Sequence, residues 1–203
     1  MNDLITKRAY RLKDFTGDFP LFIQKSNTRN HVLHGHDFTE LVIVEYGKGI
    51  HFTSSSRHLI TTGDVLVIPK GTKHGYENSE RLQITNLLFD LSLLDALPET
   101  FRHISGFQSL FLLSPLQRKR KITQKGFLTL APEQLNHVKH LTGRMVQELH
   151  KKETGYQAVC ILVLADLIIF LSRQASKHDL AMHTNKLANA LSYMEKHYAE
   201  TTS

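Results

Sequence analysis

The chain is short of the features that would place a protein outside the cytosol or brace it covalently. It has a single cysteine, Cys160, set in an apolar run. Neither a disulfide framework nor a thiolate metal cage can therefore form within it, which suits a reducing cytoplasm. The opening residues, Met1 to Leu4, lack a basic stretch followed by a long apolar core, so no secretion signal is expected. The longest apolar run, Ala158 to Leu171, reads as too short to span a bilayer and carries Asp166 in its middle. The expectation is a cytoplasmic protein with no membrane partner. Charge of one sign is scarce as well: 25 Lys and Arg against 19 Asp and Glu leave a formal +6. That balance is compatible with a nucleic-acid partner and decides nothing alone. The clearest basic run, Arg118-Lys119-Arg120-Lys121, has no interleaved aromatics and no helical pattern, and reads as a solvated loop.

What is present falls into two textures. At 203 residues and 41% hydrophobic content there is enough chain for one well-buried domain with a smaller appendage. From about Leu21 to Phe89 the segments are short, β-branched and punctuated by turn residues. They read "FPLFIQ", "ELVIVEY" closing at Gly47-Lys48-Gly49, "IHFT" closing at Ser54-Ser55-Ser56, "HLIT" closing at Gly63-Asp64, "VLVIP" and "LQITNLLF". Strand after strand at this spacing predicts an antiparallel sandwich or barrel.

After Pro98 the pattern turns helical. Pro132 and Glu133 stand where a first turn begins, and Leu135, Val138, Leu141, Met145 and Leu149 recur every three or four residues. This amphipathic helix is expected to stop near Lys152, with Gly155 in the reversal and Thr154 with Gln157 capping a second helix. The second helix, to about Ser172, is apolar nearly all round, so its expected partners are the first helix, the β-domain and another chain. Polar residues from Gln174 to Thr184 read as a linker. Then Leu187, Leu191, Met194 and Tyr198 restart helical spacing, as at the opening of a domain that is cut short.

The candidate site lies in "HGHDFTE", residues 34 to 40. On a strand, alternate residues share a face, so His34, His36, Phe38 and Glu40 look the same way, with Val42 and Val44 marking that face as interior. A carboxylate there needs a partner. His74, after the Pro69-x-Gly71 turn, is the fourth candidate, aimed back across the barrel. Imidazoles plus one carboxylate suit Zn, Ni, Mn or Fe(II), and the spacing does not choose among them. A metal centre and a hydrogen-bonded polar cluster that holds a polyol are equally open on these residues alone. His31, His51 and His58 receive no role.

The two stretches resemble the paired signatures of the cupin superfamily. His34-x-His36-x3-Glu40-x6-Gly47 matches the first, with Thr28 where a leading glycine would stand. Gly63, Pro69, Gly71, His74 and Asn78 match the second at every spacing. The order of barrel, "LPETFRHISGFQSLFLL", helix hairpin and "LANALSYMEKHY" resembles the sensor half of AraC-type (AraC/XylS) transcriptional regulators, and "HDFTELVIVEYGKGIHF" is most similar to the rhamnose-responsive activators among them. The resemblance implies a mainly β fold with appended α structure: a cupin (double-stranded β-helix, jelly-roll) barrel over residues 1–130 that senses a small effector, often a sugar. It further implies a helical hairpin at 131–176 for homodimerisation, and a linker with the first helix of a truncated helix-turn-helix DNA-binding domain at 177–203. On this reading His34, His36, Phe38, Glu40 and His74 line the effector pocket, a divalent metal is the expected occupant of the quartet, and DNA is bound only through the missing half. The competing reading is a metal-dependent cupin enzyme, a dioxygenase or sugar isomerase. It leaves the hairpin without a purpose and shows no further acid or base beside the quartet, so no catalytic activity is expected.

Overall fold

The computed structural model describes residues 9–95, 97–112 and 127–177. The basic run at 118–121 and the linker and helix expected beyond residue 177 lie outside the described residues. Eight strands make up the β-domain: β1 (Ala9–Tyr10), β2 (Leu21–Asn27), β3 (His31–His36), β4 (Thr39–Thr53), β5 (Arg57–Thr61), β6 (Asp64–Ile68), β7 (His74–Phe89) and β8 (Leu128–Thr129). Two helices follow, α1 (Pro132–Lys151) and α2 (Tyr156–Lys177).

The long strands β4 and β7 organise everything else. They pair antiparallel along most of their length, and each changes neighbours half-way. The first half of β4 pairs with β6 and the second half with β5, while β7 takes β3 at its start and β2 at its end. One pair of strands thus belongs to both layers of the barrel. The expected turn at Gly47-Lys48-Gly49 is corrected here, because β4 runs straight through it. Register shifts between Val44 and Ile50 bend the pair into a corner. Gly47 takes φ 82°, and a Cβ on it would meet the Arg81 carbonyl oxygen at 2.3 Å. Only glycine fits that close approach.

The alternation of β4 separates two cores. Val42 and Val44 pack inside the barrel with Ile60, Leu66, Ile68 and Ile84. Leu41 and Ile43 face outward into a core that includes Leu87, Phe89 and the helix residues Val138, Met145, Leu164 and Ile168. With both faces covered, the near-continuous apolar run of this strand is explained. Asp64, fully buried, holds the next turn by accepting from Thr61 N at 2.7 Å and from the Thr129 hydroxyl at 2.6 Å, which anchors β8.

The barrel is followed by a helical hairpin, as expected. Pro132 opens α1, and the buried stripe is Leu135, Val138, Leu141 and Met145. Lys152 itself adopts the left-handed conformation at the C-cap, with Gly155 at φ 85° beyond it. The expected pairing of Thr154 with Gln157 gives way to a bond from Gln157 Nε2 to the Tyr156 hydroxyl at 3.4 Å. α2 continues past Ser172, because Ala175 is buried and the Ser176 hydroxyl accepts from Gly106 N at 2.9 Å. Its 22 residues make it long and apolar enough to cross a membrane, contrary to the length expected from the sequence, and half of its most apolar stretch is buried. A core helix of a globular domain meets the same criterion. Gln134 Nε2 donates to Gln174 Oε1 at 3.0 Å and ties the two helices.

Candidate functional site

Three strand ends bring the expected residues together. The Pro69–Thr72 turn is closed by Thr72 N donating to Pro69 O at 3.1 Å, and Gly71 N donates to His36 O at 2.9 Å. This seats the start of β7 against β3, where His34 and His74 are direct cross-strand partners. The strand expected to run unbroken from 34 to 44 is instead interrupted at Asp37 and Phe38. The Asp37 carboxylate accepts from Leu12 N at 2.8 Å, which fastens the N-terminal segment across the gap. The break spans two residues, so the inward parity survives into β4.

His36, Phe38, Glu40 and His74 are all buried, and His34 is half-buried. Glu40 Oε2 lies 3.4 Å from His36 Nε2 and 3.2 Å from His74 Nε2. These are ion-pair distances without hydrogen-bond geometry, and both nitrogens lack a partner. His36 Nδ1 donates to the Phe38 carbonyl at 2.8 Å, and its ring stacks on Phe38 with centroids 4.4 Å apart. A carbonyl only accepts, so the His36 proton sits on Nδ1 and the Nε2 lone pair faces the carboxylate. His34 Nδ1 lies 3.0 Å from the Val32 carbonyl and 3.1 Å from His31 Nδ1.

Burial sets the electrostatics. Desolvation first, and neighbouring imidazoles second, push His74 and His51 down to about 3 and His34 down to about 4. All three are neutral at physiological pH. Desolvation raises the Glu40 carboxyl against the pull of His36, His34 and His31, and raises the Tyr76 hydroxyl. The potential ligand atoms of His34, Glu40 and His74 lie within 4.8 Å of one another, the one such group of three among the described residues. Neutral imidazoles with unpartnered buried nitrogens around a carboxylate fit a divalent metal of the Zn, Ni, Mn or Fe type.

His34, His36, Phe38 and Glu40 line a cavity of about 280 Å³ within the barrel, as expected, whereas His74, expected there too, is not among its lining residues and reaches it only through Glu40. Aromatic rings of Tyr10, Phe15 and Phe38 form one side; Gln24, Ser26, Thr28 and Asn86 supply amides and hydroxyls. Thr28, which departs from the expected glycine, is itself part of this lining. A second hollow of about 300 Å³ lies between residues 15–23 and the α1–α2 turn, but its charged side chains, Asp18, His150 and Lys152, are exposed.

Two histidines that sequence reasoning left aside join the cluster. The His31 ring is 4.4 Å from that of His34, and the His51 ring 5.5 Å from that of His74. His51 was hidden because the alternation of "IHFT" suggests inward Ile50 and Phe52, whereas it is the histidine that is buried and both neighbours are only half-buried.

This two-layered barrel, with its histidine-lined interior and covering helix pair, defines a cupin-type domain. The model of the AraC-like ligand binding domain matches residues 17–159, well over half of the chain, and the chain belongs to that family. Among curated proteins it is similar to the HTH-type transcriptional activator RhaS of Enterobacter sp. (strain 638), 28% identical over 84% of this chain and 57% of the relative. It is similar also to RhaS of Escherichia coli O1:K1 / APEC, 26% identical over 82% and 56%. The chain therefore spans a little over half the length of these relatives. Among solved structures, a cupin-2 domain protein of Shewanella frigidimarina overlaps 33% of the chain and 66% of its own at TM-score 0.29 and 26% identity. An RmlC-like cupin of the same organism overlaps 34% and 65% at 0.30 and 16%. Overlaps at such scores carry no functional argument.

Proposed function

We propose that this chain is the effector-sensing and dimerisation region of an AraC-type transcription regulator, working in the cytoplasm. Residues 1–130 form the sensing barrel, 131–176 the dimerising hairpin, and 177–203 a linker with the start of a helix-turn-helix DNA-binding half. The observation that carries the reading is the cavity: the Glu40 carboxylate and the His34 and His36 imidazoles, the latter with an unpartnered Nε2, line it together with aromatic rings and polar side chains. Such a site suits a small polyhydroxylated effector, a sugar, whose apolar face lies on the rings and whose hydroxyls reach the amides and hydroxyls. His34, His36, Glu40 and His74 would hold a divalent metal, and Phe38 keeps His36 in its tautomer. When bound, the metal would supply direct coordination for vicinal hydroxyl oxygens; without it the same residues offer charge-assisted hydrogen bonds.

The effector acts only through its difference in affinity between arrangements of barrel, hairpin and DNA-binding half. Glu45, five residues beyond Glu40 on β4, supports such coupling: its carbonyl accepts from Lys139 Nζ on α1 at 3.4 Å, and its carboxylate pairs with Lys25 on β2 at 3.3 Å. Operator binding by the full-length regulator, measured with and without candidate sugars, tests the reading. A several-fold change with one sugar, abolished by His74→Ala, is expected. Unchanged operator binding with every effector would end it.

A metal-dependent dioxygenase or sugar isomerase is the second reading, favoured by the unpartnered Nε2 atoms of His36 and His74 beside Glu40. Robust turnover of a sugar or catechol that disappears in His34→Ala would put it first.

A further inference from the structure

His74 has two nitrogens without a hydrogen-bond partner, and only one of them, Nε2, faces Glu40. The His74 ring has His34 beside it, at 4.3 Å between centroids, and on the paired strand the second half of β4. There His51 lies directly opposite Tyr76, and Thr53 opposite His74. His74 and Tyr76 are two apart on one strand and share its inward face. His51, at 7% exposure, is enclosed with them. The three rings form a nearly equilateral triangle, with centroids 5.5 Å apart for His51 and His74, 5.5 Å for His51 and Tyr76, and 6.0 Å for His74 and Tyr76. Each ring contributes one buried polar atom that has no partner: His51 Nε2, Tyr76 Oη and His74 Nδ1.

Three such atoms on three neighbouring rings are costly unless something joins them, and an aliphatic side chain at position 51 would have been the cheaper filling. The interior face of β4 is polar at Glu40, aliphatic at Val42 and Val44, and polar again at His51, and both polar residues lie beside His74. A buried water characteristically makes about three hydrogen bonds to groups of this kind. A histidine that presents one nitrogen to a ligand also needs its other N–H fixed by an outer partner.

The geometry points to His51 as the positioning residue for His74: together with Tyr76 it holds one buried water against His74 Nδ1. His74 Nδ1–H donates to that water, which donates in turn to His51 Nε2 and to the Tyr76 oxygen. The proton is thereby kept on Nδ1, and the Nε2 lone pair is presented towards Glu40. His51 touches neither the effector nor a metal on this account; it acts through His74. The inference rests on the proposed role of His74 as a metal ligand, but the tautomer it assigns exists in the metal-free chain as well.

Long-range ¹H–¹⁵N correlation spectra of the imidazoles, recorded on the full metal-free chain, read the tautomer directly. The wild type is expected to hold His74 in its Nδ1–H form, and His51→Leu to release it into a mixture of both tautomers. Zn²⁺ affinity, measured by competition with a chromophoric chelator, is expected to weaken about 10- to 100-fold in His51→Leu, as for outer partners of metal-bound histidines. His51→Gln, which restores a hydrogen-bonding group, recovers most of both. An unchanged His74 tautomer in a folded His51→Leu overturns the proposal, as does a wild type already in the Nε2–H form. Should His51→Leu not fold, Tyr76→Phe removes one corner of the triangle by deleting only a hydroxyl, and an unchanged tautomer there has the same force. A wild type that binds no Zn²⁺ counts against the metal alone, since the tautomer still decides the part of His51.

Discussion

Glu40 Oε2 and His74 Nε2 stand 3.2 Å apart inside the barrel, with no hydrogen bond made by that nitrogen. Convergence without mutual satisfaction is the arrangement of groups that await a third party. Glu40→Gln keeps the volume and removes the anionic donor. Zn²⁺ affinity is expected to fall by more than about 100-fold, since losing a ligand exceeds the ~10- to 100-fold effect of outer-sphere changes. Stability at pH 7 is expected to rise, because burial disfavours the ionised carboxyl. Titration with Zn²⁺ and urea unfolding check the two halves, and equal affinity in the variant would remove Glu40 from the site.

Acid should unfold this protein early. His51 and His74, with their ordinary value near 6.5, are pushed down to about 3, and His34 to about 4, so the unfolded chain takes up protons that the folded one refuses. Their contribution is fully present above pH 6.5 and is lost as pH falls to about 4 for His34 and about 3 for His51 and His74. Glu40, raised by burial, has the opposite sign: its contribution is present at low pH and is lost as pH rises through its shifted value. One carboxyl opposes three imidazoles. Counting only the two enclosed ones, His51 and His74, urea unfolding at pH 5 should show stability lower than at pH 7.5 by roughly 4 kcal/mol. Equal stability at the two values would contradict the burial of these rings.

The corner of the barrel can be tested with a matched pair of glycines. Gly47 and Gly71 both have positive φ, 82° and 80°, but a Cβ on Gly47 would strike backbone at 2.3 Å and one on Gly71 meets nothing within 4 Å. Gly71→Ala should cost about 1 kcal/mol, the left-handed strain alone. Gly47→Ala should cost about 3 kcal/mol or more, adding the clash to the strain. Urea midpoints at constant slope measure both, and equal costs would argue against the bend at residue 47.

Leu162 on α2 is 66% exposed, and Val146 on α1 is 38% exposed. A symmetric contact between two copies would bury such side chains. Sedimentation at micromolar concentration is expected to show a dimer for the wild type and a monomer of unchanged fold for Leu162→Arg. A clean wild-type monomer would leave the hairpin as a cover for the barrel alone.

The quartet was legible because its chemistry is rare and its spacing strict: His34, His36, Glu40 and His74 could be placed on one face from parity and a single turn. The barrel and hairpin were legible from periodicity, since Leu135 to Met145 repeat at helical spacing and the strand segments do not. What hid were features set by distant partners. Gly47 looks like a turn residue, and only the Arg81 carbonyl across the pair makes it a bend within a strand. Ala175 and Ser176 look like the start of a linker, and only burial and the bond from Gly106 N keep them helical. His51 looks like the outward member of "IHFT", because two apolar neighbours suggest the opposite phase.

The two-residue break between β3 and β4 has a consequence for how such a chain can change over time. Since Glu40, Val42 and Val44 point one way and Leu41 and Ile43 the other, inserting or deleting a single residue at Asp37 or Phe38 would exchange the two sets throughout the first half of β4. The carboxylate would move out beneath the helices and a leucine would take its place in the pocket. Sensing and helix docking therefore stand or fall in one event, and the length of that short bridge is held fixed by both at once.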